Sequence, residues 1–325
     1  MNRRWIISFQ IGSYPVRFPH DITRFEYAGR KEHRHGRMTL EQIKHKANAG
    51  DRRAQAVLAK RYEIGFQVRE NNKQAFAWYR KSAEQGFAPA QWRLGEICRQ
   101  MHLDEKLESM DDAIHWYEQA ANQGSVTAQL ALGNALEGDD PQDAAYWFDL
   151  AAKAGDAEAN FRLAELYGQG NGVPQNDNDA FQRYLRSEQL GFGKAAYEVG
   201  RCYATGCGVE KNSNEALNRL LPIADPRIIE DIWLMSRAQF WVFIVFGDAE
   251  HAKHDLVEAY VWLNLAASYA PNGQDFFGVM SRESLVQSRD LFSKRLSKEQ
   301  ITAAQNRSAE IFVPRKTIEK RLHRN

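Results

Sequence analysis

The chain has 325 residues, with 43 Lys and Arg against 42 Asp and Glu, a formal net charge of +1 and 43% hydrophobic side chains. Charge this evenly balanced excludes a molecule-wide field for drawing in nucleic acid or an anionic membrane, so recognition by charge has to be local. Three cysteines, Cys98, Cys202 and Cys207, exclude a disulfide framework and fit a reducing compartment, and the most apolar run, Phe240 to Phe246, is too short to span a bilayer.

The first 37 residues carry no helical period. Arg3, Arg4, Arg17, Arg24, Arg30, Lys31, Arg34 and Arg37 stand there against only Asp21, Glu26 and Glu32. Trp5, Ile7, Phe9 and Ile11 recur at a strand-like period, and Pro15 and Pro19 bar a helix after them. No small-residue cleavage site follows, so no signal peptide is expected and the cytoplasm is the expected location. Residues 1–37 read as a basic arm, extended or irregular. Because a stack of repeats has to hide its first hairpin, the arm is expected to wrap that end or fill part of a groove; the competing reading is a detachable partner-binding segment. His33 and His35 among their basic neighbours are a candidate phosphate site, although such tracts are usually solvated linker.

From Thr39 to Gly50 the pattern turns helical, opened by a Thr39/Gln42 capping box. An alanine then opens each of six units: Ala54, Ala90, Ala128, Ala159, Ala195 and Ala238. Four residues later stand Leu58, Leu94, Leu132, Leu163, Val199 and Val242, and five residues later, in all units but the last, the small residues Ala59, Gly95, Gly133, Ala164 and Gly200. These positions share one face of a 3.6-residue period, here termed helix A, and the small residue lets a partner helix approach closely. Phe243 replaces it in the sixth unit, where the junction is expected to splay. Helix B follows, opened by Ala75, Ala113, Ala144, Ala180, Ala216 and Ala259, each trailed three residues on by Trp78, Trp116, Trp147, Arg183, Arg219 or Trp262. The tryptophans of that register are expected in the core. Gly86, Gly124, Gly155 and Gly191 suit the left-handed position past helix B.

Openers are spaced 36, 38, 31, 36 and 43 residues apart. Self-similarity at such a period marks stacked helical hairpins whose loops absorb insertions. The shortest unit has Gly138-Asp139-Asp140-Pro141 where others have Gly-rich loops such as Gly170-Asn171-Gly172-Val173; the longest inserts residues around Asp225 to Ser236, expected to add a helical turn. His251, His254 and Asp255 lack a fourth ligand and read as a polar loop rather than a metal site. Two closing helices are predicted within 278–313, the second opened by a Ser297/Gln300 capping box and ended before Pro314, with a basic tail after it.

The runs Ala-x-x-x-Leu-Gly-x-x-Tyr, Gly-x-Gly-Val and Ala-x-x-Trp-Tyr-x-x-Ala-Ala-x-x-Gly resemble the Sel1-like repeat, a branch of the tetratricopeptide superfamily, over residues 39–270. Tyr260 to Ala267 and Leu296 to Gln300 also resemble the ending of bacterial members. The resemblance implies an all-α fold, a right-handed α-solenoid of about six stacked hairpins with a C-terminal helical cap. The expected organisation is arm 1–37, solenoid 38–270, capping helices 271–313 and basic tail 314–325. Adaptor or scaffold work in signalling and macromolecular assembly is what the resemblance implies for function.

Helix A carries a second stripe. At about 100° per residue, the positions two, six and nine after each opener lie about 180 to 240° from it. Position two holds Trp92, Phe161, Tyr197 and Phe240, and position six holds Lys60, Glu96, Asn134, Glu165 and Arg201. Resemblance to tetratricopeptide solenoids implies that this stripe lines the concave face, where rings would supply contact area and charges direction. The competing reading makes the position-two rings packing between neighbouring helices A. The expected function is a non-catalytic scaffold that binds a peptide or protein on this face; the alternative is an immunity or inhibitor protein neutralising a toxin or effector enzyme. Some Cys-rich relatives are spoken of as penicillin-binding hydrolases, but the chain lacks the Ser-x-x-Lys pairing, as it lacks a Walker loop, a dinucleotide fingerprint and His-Glu-x-x-His. No catalytic residue, metal or cofactor is expected.

Overall fold

The computed structural model describes residues 38–103, 110–227, 231–248, 254–270, 281–314 and 317–318. The basic arm with its His33 and His35 tract, His251 and most of the basic tail lie outside these residues. Among the described residues the chain is all α-helix: α1 (Leu40–Asn48), α2 (Arg52–Ile64), α3 (Asn72–Glu84), α4 (Ala88–Leu103), α5 (Met110–Ala121), α6 (Val126–Leu136), α7 (Pro141–Lys153), α8 (Ala157–Gln169), α9 (Asp177–Gln189), α10 (Gly193–Thr205), α11 (Ser213–Ala224), α12 (Ile232–Gly247), α13 (Leu256–Tyr269), α14 (Arg282–Ser293) and α15 (Lys298–Ile311). This is the all-α repeat fold expected from the period. Two compact units divide between Ala135 and Leu136.

Short polar side chains set where five of the helices B begin. Asn71, Asp140, Asn176, Asn212 and Asp255 accept backbone N–H groups of α3, α7, α9, α11 and α13, each such cap contributing about 0.5–2 kcal/mol. Pro141 at the start of α7 lets the shortest hairpin turn without a glycine loop. Thr39 and Ser297 both close capping boxes. The inserted residues before Ala238 extend α12 at its N-terminus, where Asp231 caps it.

The opener alanines and the aliphatic four residues on are buried in every helix A. In every helix B the large side chain after the tryptophan register is buried: Tyr79, Tyr117, Phe148, Tyr184, Leu220 and Leu263. Trp262 is buried, but Trp78, Trp116 and Trp147 are half-buried, which corrects the expectation of a tryptophan core. The reason is geometric: four residues return to within about 40° of the opener, whereas three stop about 60° short. In the second unit the same register lines the seam between successive helices B, where Arg183 pairs with Asp149 at 3.0 Å and Arg219 with Glu188 at 3.2 Å.

Hairpins close tightly where small residues stand at position five. A Cβ on Gly95 would lie 2.6 Å from the Tyr117 ring, and one on Gly200 2.8 Å from Leu220. Phe243 does not splay the last hairpin as expected. Its ring turns onto Phe292 of α14, 5.2 Å between centroids, and α12 and α13 remain packed with Gly247 beside Ala259. Loops of the second unit touch backbone to backbone. Gly208, at φ +69°, comes so close to the Asp177 carbonyl that a Cβ would sit 1.9 Å from its oxygen, a place only glycine fills.

A buried amide links each of five helices A to the helix B before it. Gln55, Gln91 and Gln129 in the first unit donate to the carbonyl oxygens of Ala47, Ala83 and Ala121 at 3.1, 3.1 and 3.4 Å. Asn160 and Gln239 in the second donate to those of Ala152 and Ala224 at 3.4 and 2.9 Å. Gln85 and Gln123 add a further layer, each donating at 2.7 Å to the side-chain oxygen of Gln55 or Gln91. The carbonyls so bonded belong to helix ends, and those of Ala47, Ala83, Ala121 and Ala152 also accept the N–H of the glycine three residues on. At the C-terminus the Tyr269 hydroxyl donates to the Val313 carbonyl at 2.7 Å and accepts from its N–H at 2.8 Å, holding the chain after α15 against α13.

Gly200→Ala is expected to lower stability by about 1–3 kcal/mol through overpacking, although alanine gains about 1 kcal/mol in helix preference. Gly193→Ala, which meets nothing within 4 Å, should leave stability unchanged or raised; urea denaturation of both variants checks the contrast. Gln91→Leu should lower the unfolding free energy by about 0.5–1.5 kcal/mol, because the Ala83 carbonyl, which keeps the Gly86 N–H, loses one of its donors and the Gln123 amide loses one of its two acceptors. An unchanged urea midpoint would show the buried amide to be dispensable.

Candidate functional site

Away from the opener ladder, helices A present charged side chains, mostly at positions three, six and nine, about 180 to 300° from the opener. In the first unit Glu63 of α2 takes Lys60 at 3.2 Å and Arg93 of α4, while its second oxygen accepts from the Tyr79 hydroxyl at 2.7 Å. Glu96 pairs with Arg99 at 3.1 Å and accepts from the Tyr117 hydroxyl at 2.5 Å. In the second unit Arg162 of α8 lies 3.2 Å from Glu165 and 3.8 Å from Glu158. Glu198 of α10 pairs with Arg201 at 2.7 Å and with Arg237 of α12 at 3.8 Å. These groups are half-buried for the most part, so their ion pairs are only partly screened.

The two stripes differ in electrostatic balance. Burial alone would raise the Glu63 carboxyl, but the charge and hydrogen bond of Arg93, the charge of Lys60 and the Tyr79 hydroxyl hold it below the usual carboxylate range. Glu165 lies above that range: burial pushes it up, and the negative charges of Glu137 and Glu198 add to this against the pull of Arg162. Glu158 is raised as well, by burial and by Asp156. Tyr184, the counterpart of Tyr79 and Tyr117, is raised by burial and by Glu198 and Glu165, yet its hydroxyl makes no hydrogen bond among the described residues. The first stripe is internally neutralised, whereas the second holds carboxylates that a cationic group would relieve.

Four of the position-six residues, Lys60, Glu96, Glu165 and Arg201, stand in these stripes, and Asn134 is exposed on α6. The position-two rings are placed otherwise. Tyr197 is 2% exposed, its ring under Arg237 at 4.6 Å and its hydroxyl accepting from Trp241 Nε1 at 3.0 Å. Phe161 is 6% exposed, against Phe192 and Tyr184 at 5.1 and 5.4 Å. Trp92 is buried too, and Phe240 is half-buried against Trp241 and Phe243. This corrects the expectation of an aromatic ladder: Phe161 and Tyr197 point into seams filled by the following hairpin, so their contact area goes to packing between repeats. The charged residues at position three, Arg93, Arg162 and Glu198, and Glu63 at position nine, were missed; their recurrence at fixed offsets from the openers was the available signal.

Other candidates resolve locally. Asp255 accepts from the N–H groups of Val257 and Glu258 as the cap of α13, and among the described residues no group of three His, Cys, Asp or Glu side chains is placed to hold a metal. Cys98 fills core volume, and the Cys202 thiol is pushed up to about 12, chiefly by burial, so it is protonated at neutral pH. Among the described residues no helix is long and apolar enough to cross a membrane.

Helical hairpins linked through buried amides, with most helices A turning a polar stripe away from the core, define a helical-repeat protein. The Sel1 repeat model matches residues 52–87, 88–125, 126–156, 157–191, 193–218 and 236–268, more than half of the chain, and the chain belongs to the Sel1 repeat family. Proteins of this family are generally protein-interaction scaffolds. The fold is similar to that of c5321, a protective antigen of uropathogenic Escherichia coli with an SLR fold: TM-score 0.61 and 23% identity, covering 86% of this chain and 58% of the antigen. The chain thus spans little over half the length of that protein. A Sel1 repeat protein from Oxalobacter formigenes matches at TM-score 0.58 and 27% identity, over 75% of this chain and 98% of its own. No curated protein sequence matches the chain significantly.

The opposite shifts of Glu63 and Glu165 predict opposite responses to pH. The lowered Glu63 contributes stability that is present above its unfolded pKa and lost as pH falls through its folded value. Glu63→Gln should therefore melt below the parent at pH 7, with the difference shrinking below about pH 4. The raised Glu165 favours folding below its unfolded pKa, and that contribution is lost as pH rises through the folded value. Glu165→Gln should melt above the parent at pH 7, the gain vanishing in acid; melting curves from pH 3 to 8 check both signs.

Proposed function

We propose that this chain is a non-catalytic interaction scaffold that grips a charged peptide or protein segment on the helix-A stripe of the second unit, with Glu165 and Arg201 reading the partner; Lys60, Glu96 and Asn134 hold the same position in the first unit. The observation that carries the reading is the under-neutralised carboxylate group around Glu165. Holding these charges half-buried beside one another works against folding, and such sites are found where a ligand completes them. The ion pairs around them set side-chain direction before a partner arrives, which lowers the ordering cost of binding and favours specificity. Membership of the Sel1 repeat family supports a binding role, and the sources of both similar structures accord with a bacterial protein.

Charge reversal tests the assignment. Glu165→Arg and Arg201→Glu are each expected to reduce capture of the partner about tenfold or more with unchanged far-ultraviolet dichroism, while Tyr146→Ala, at an exposed ring of α7, leaves capture intact. Binding should also weaken as salt rises. Parent-like capture by both reversed variants would show that the partner is held elsewhere.

A further inference from the structure

Three helices B carry a tyrosine one place after the tryptophan register, and in two of the hairpins the chain closes that tyrosine with an ion pair of its own. In α2 and α3, positions six and nine are Lys60 and Glu63, 3.2 Å apart, and Glu63 accepts from the Tyr79 hydroxyl at 2.7 Å. In α4 and α5 the signs are exchanged. Glu96 at position six accepts from the Tyr117 hydroxyl at 2.5 Å, and Arg99 at position nine lies 3.1 Å from Glu96. Burial alone would lower the Arg99 guanidinium, but the charge and hydrogen bond of Glu96, and after them Tyr117, raise it. Arg99 thus serves the carboxylate and the tyrosine together.

The hairpin of α8 and α9 repeats the second arrangement with one part exchanged. Glu165 stands at position six and Tyr184 at the tyrosine place, but position nine is Gly168. Tyr184 is 5% exposed, and its hydroxyl faces Glu198 and Glu165, whose charges add to burial in raising it. That hydroxyl makes no hydrogen bond among the described residues, and its oxygen is not sealed from solvent. Nearby cations are already shared out: Arg162 lies between Glu165 and Glu158 at 3.2 and 3.8 Å, while Arg201 and Arg237 lie 2.7 and 3.8 Å from Glu198. Space is open at the exchanged position, where a Cβ on Gly168 would meet only the Ala180 methyl, at 3.9 Å. The Glu165 side chain is 29% exposed, so a group from outside can reach it.

A group that completes this hairpin has to bring positive charge to Glu165 and N–H donors to both a carboxylate and a hydroxyl oxygen. A guanidinium presents its N–H groups in a planar fork, and it is more weakly hydrated than an ammonium, so it enters a half-buried place at lower cost. We propose that an arginine side chain of a protein partner docks between Glu165 and Tyr184, in the place that Arg99 takes beside Glu96 and Tyr117. The proposal rests on the reading of the helix-A stripe as the partner's seat, and it names the residue by which the partner is recognised.

Two measurements on the full chain test it. Gly168→Arg supplies the guanidinium from within, with Gly168→Gln as the control for side-chain length and helix preference. The urea midpoint of Gly168→Arg is expected above that of Gly168→Gln, and the difference is expected to vanish once Glu165→Gln is added. Equal midpoints, or a difference that survives Glu165→Gln, would overturn the proposal. The second measurement follows the nuclear magnetic resonance of the Tyr184 ζ carbon, isotope-labelled and assigned through Tyr184→Phe, during titration with N-acetyl-arginine amide, N-acetyl-lysine amide or the neutral N-acetyl-citrulline amide. The arginine amide is expected to bind about fivefold or more tighter than either of the others, and about tenfold or more weaker to Gly168→Arg than to the parent. Absence of that preference would overturn the subsite. Capture by the charge-reversed variants reads the stripe separately. Weakened capture without arginine preference would overturn the subsite and leave the stripe standing, whereas arginine preference with unchanged capture would uphold the subsite and refute the stripe as the place where that partner is held.

Discussion

A carboxamide with no access to water holds most helices A to the helix B before them, and much of the structure follows from that bond. The last carbonyls of an α-helix have no N–H within the helix to bond. In this chain the residue after the opener alanine reaches back and donates to one of them, from Gln55, Gln91, Gln129, Asn160 and Gln239. Apolar packing alone leaves neighbouring hairpins free to slide; an amide that must find one carbonyl or remain unpaired in the interior sets their register. The opener can then be alanine throughout, because the helices lie too close for anything larger.

Register fixed at one face leaves the other face of helix A free to diversify. In the first unit the charges there are used up among themselves: Glu63 and Glu96 each receive a tyrosine hydroxyl and at least one basic side chain. In the second unit the corresponding tyrosine, Tyr184, makes no hydrogen bond among the described residues, and Glu165 shares its surroundings with Glu137 and Glu198. The same repeat therefore serves two ends. Where the network closes it stabilises the stack, and the place where it stays open is the one on which the proposed binding role rests.

The all-α repeat fold was legible because its signals are local and redundant. Opener, aliphatic and small residues recur at offsets that a 3.6-residue period converts directly into one face, and a Ser, Thr, Asn or Asp marks most helix starts. The candidate site was legible only in part. Position six was identified as a polar stripe, and its charged members stand in ion pairs, but Phe161 and Tyr197 turned out to face the next hairpin. Helical wheels assign an angle about one axis; they do not say where a second helix lies.

The sequence by itself determined the helices, their caps and the face each buries, because these depend on residues within a few positions of one another. Tertiary structure alone decided which half-turned residues are covered. It decided that Tyr79, and not Trp78, enters the core, that Phe243 meets α14 without opening its hairpin, and that Glu63 finds Arg93 thirty positions away. Those outcomes depend on distances between helices, and such distances are set by the volumes of all the side chains in a seam together.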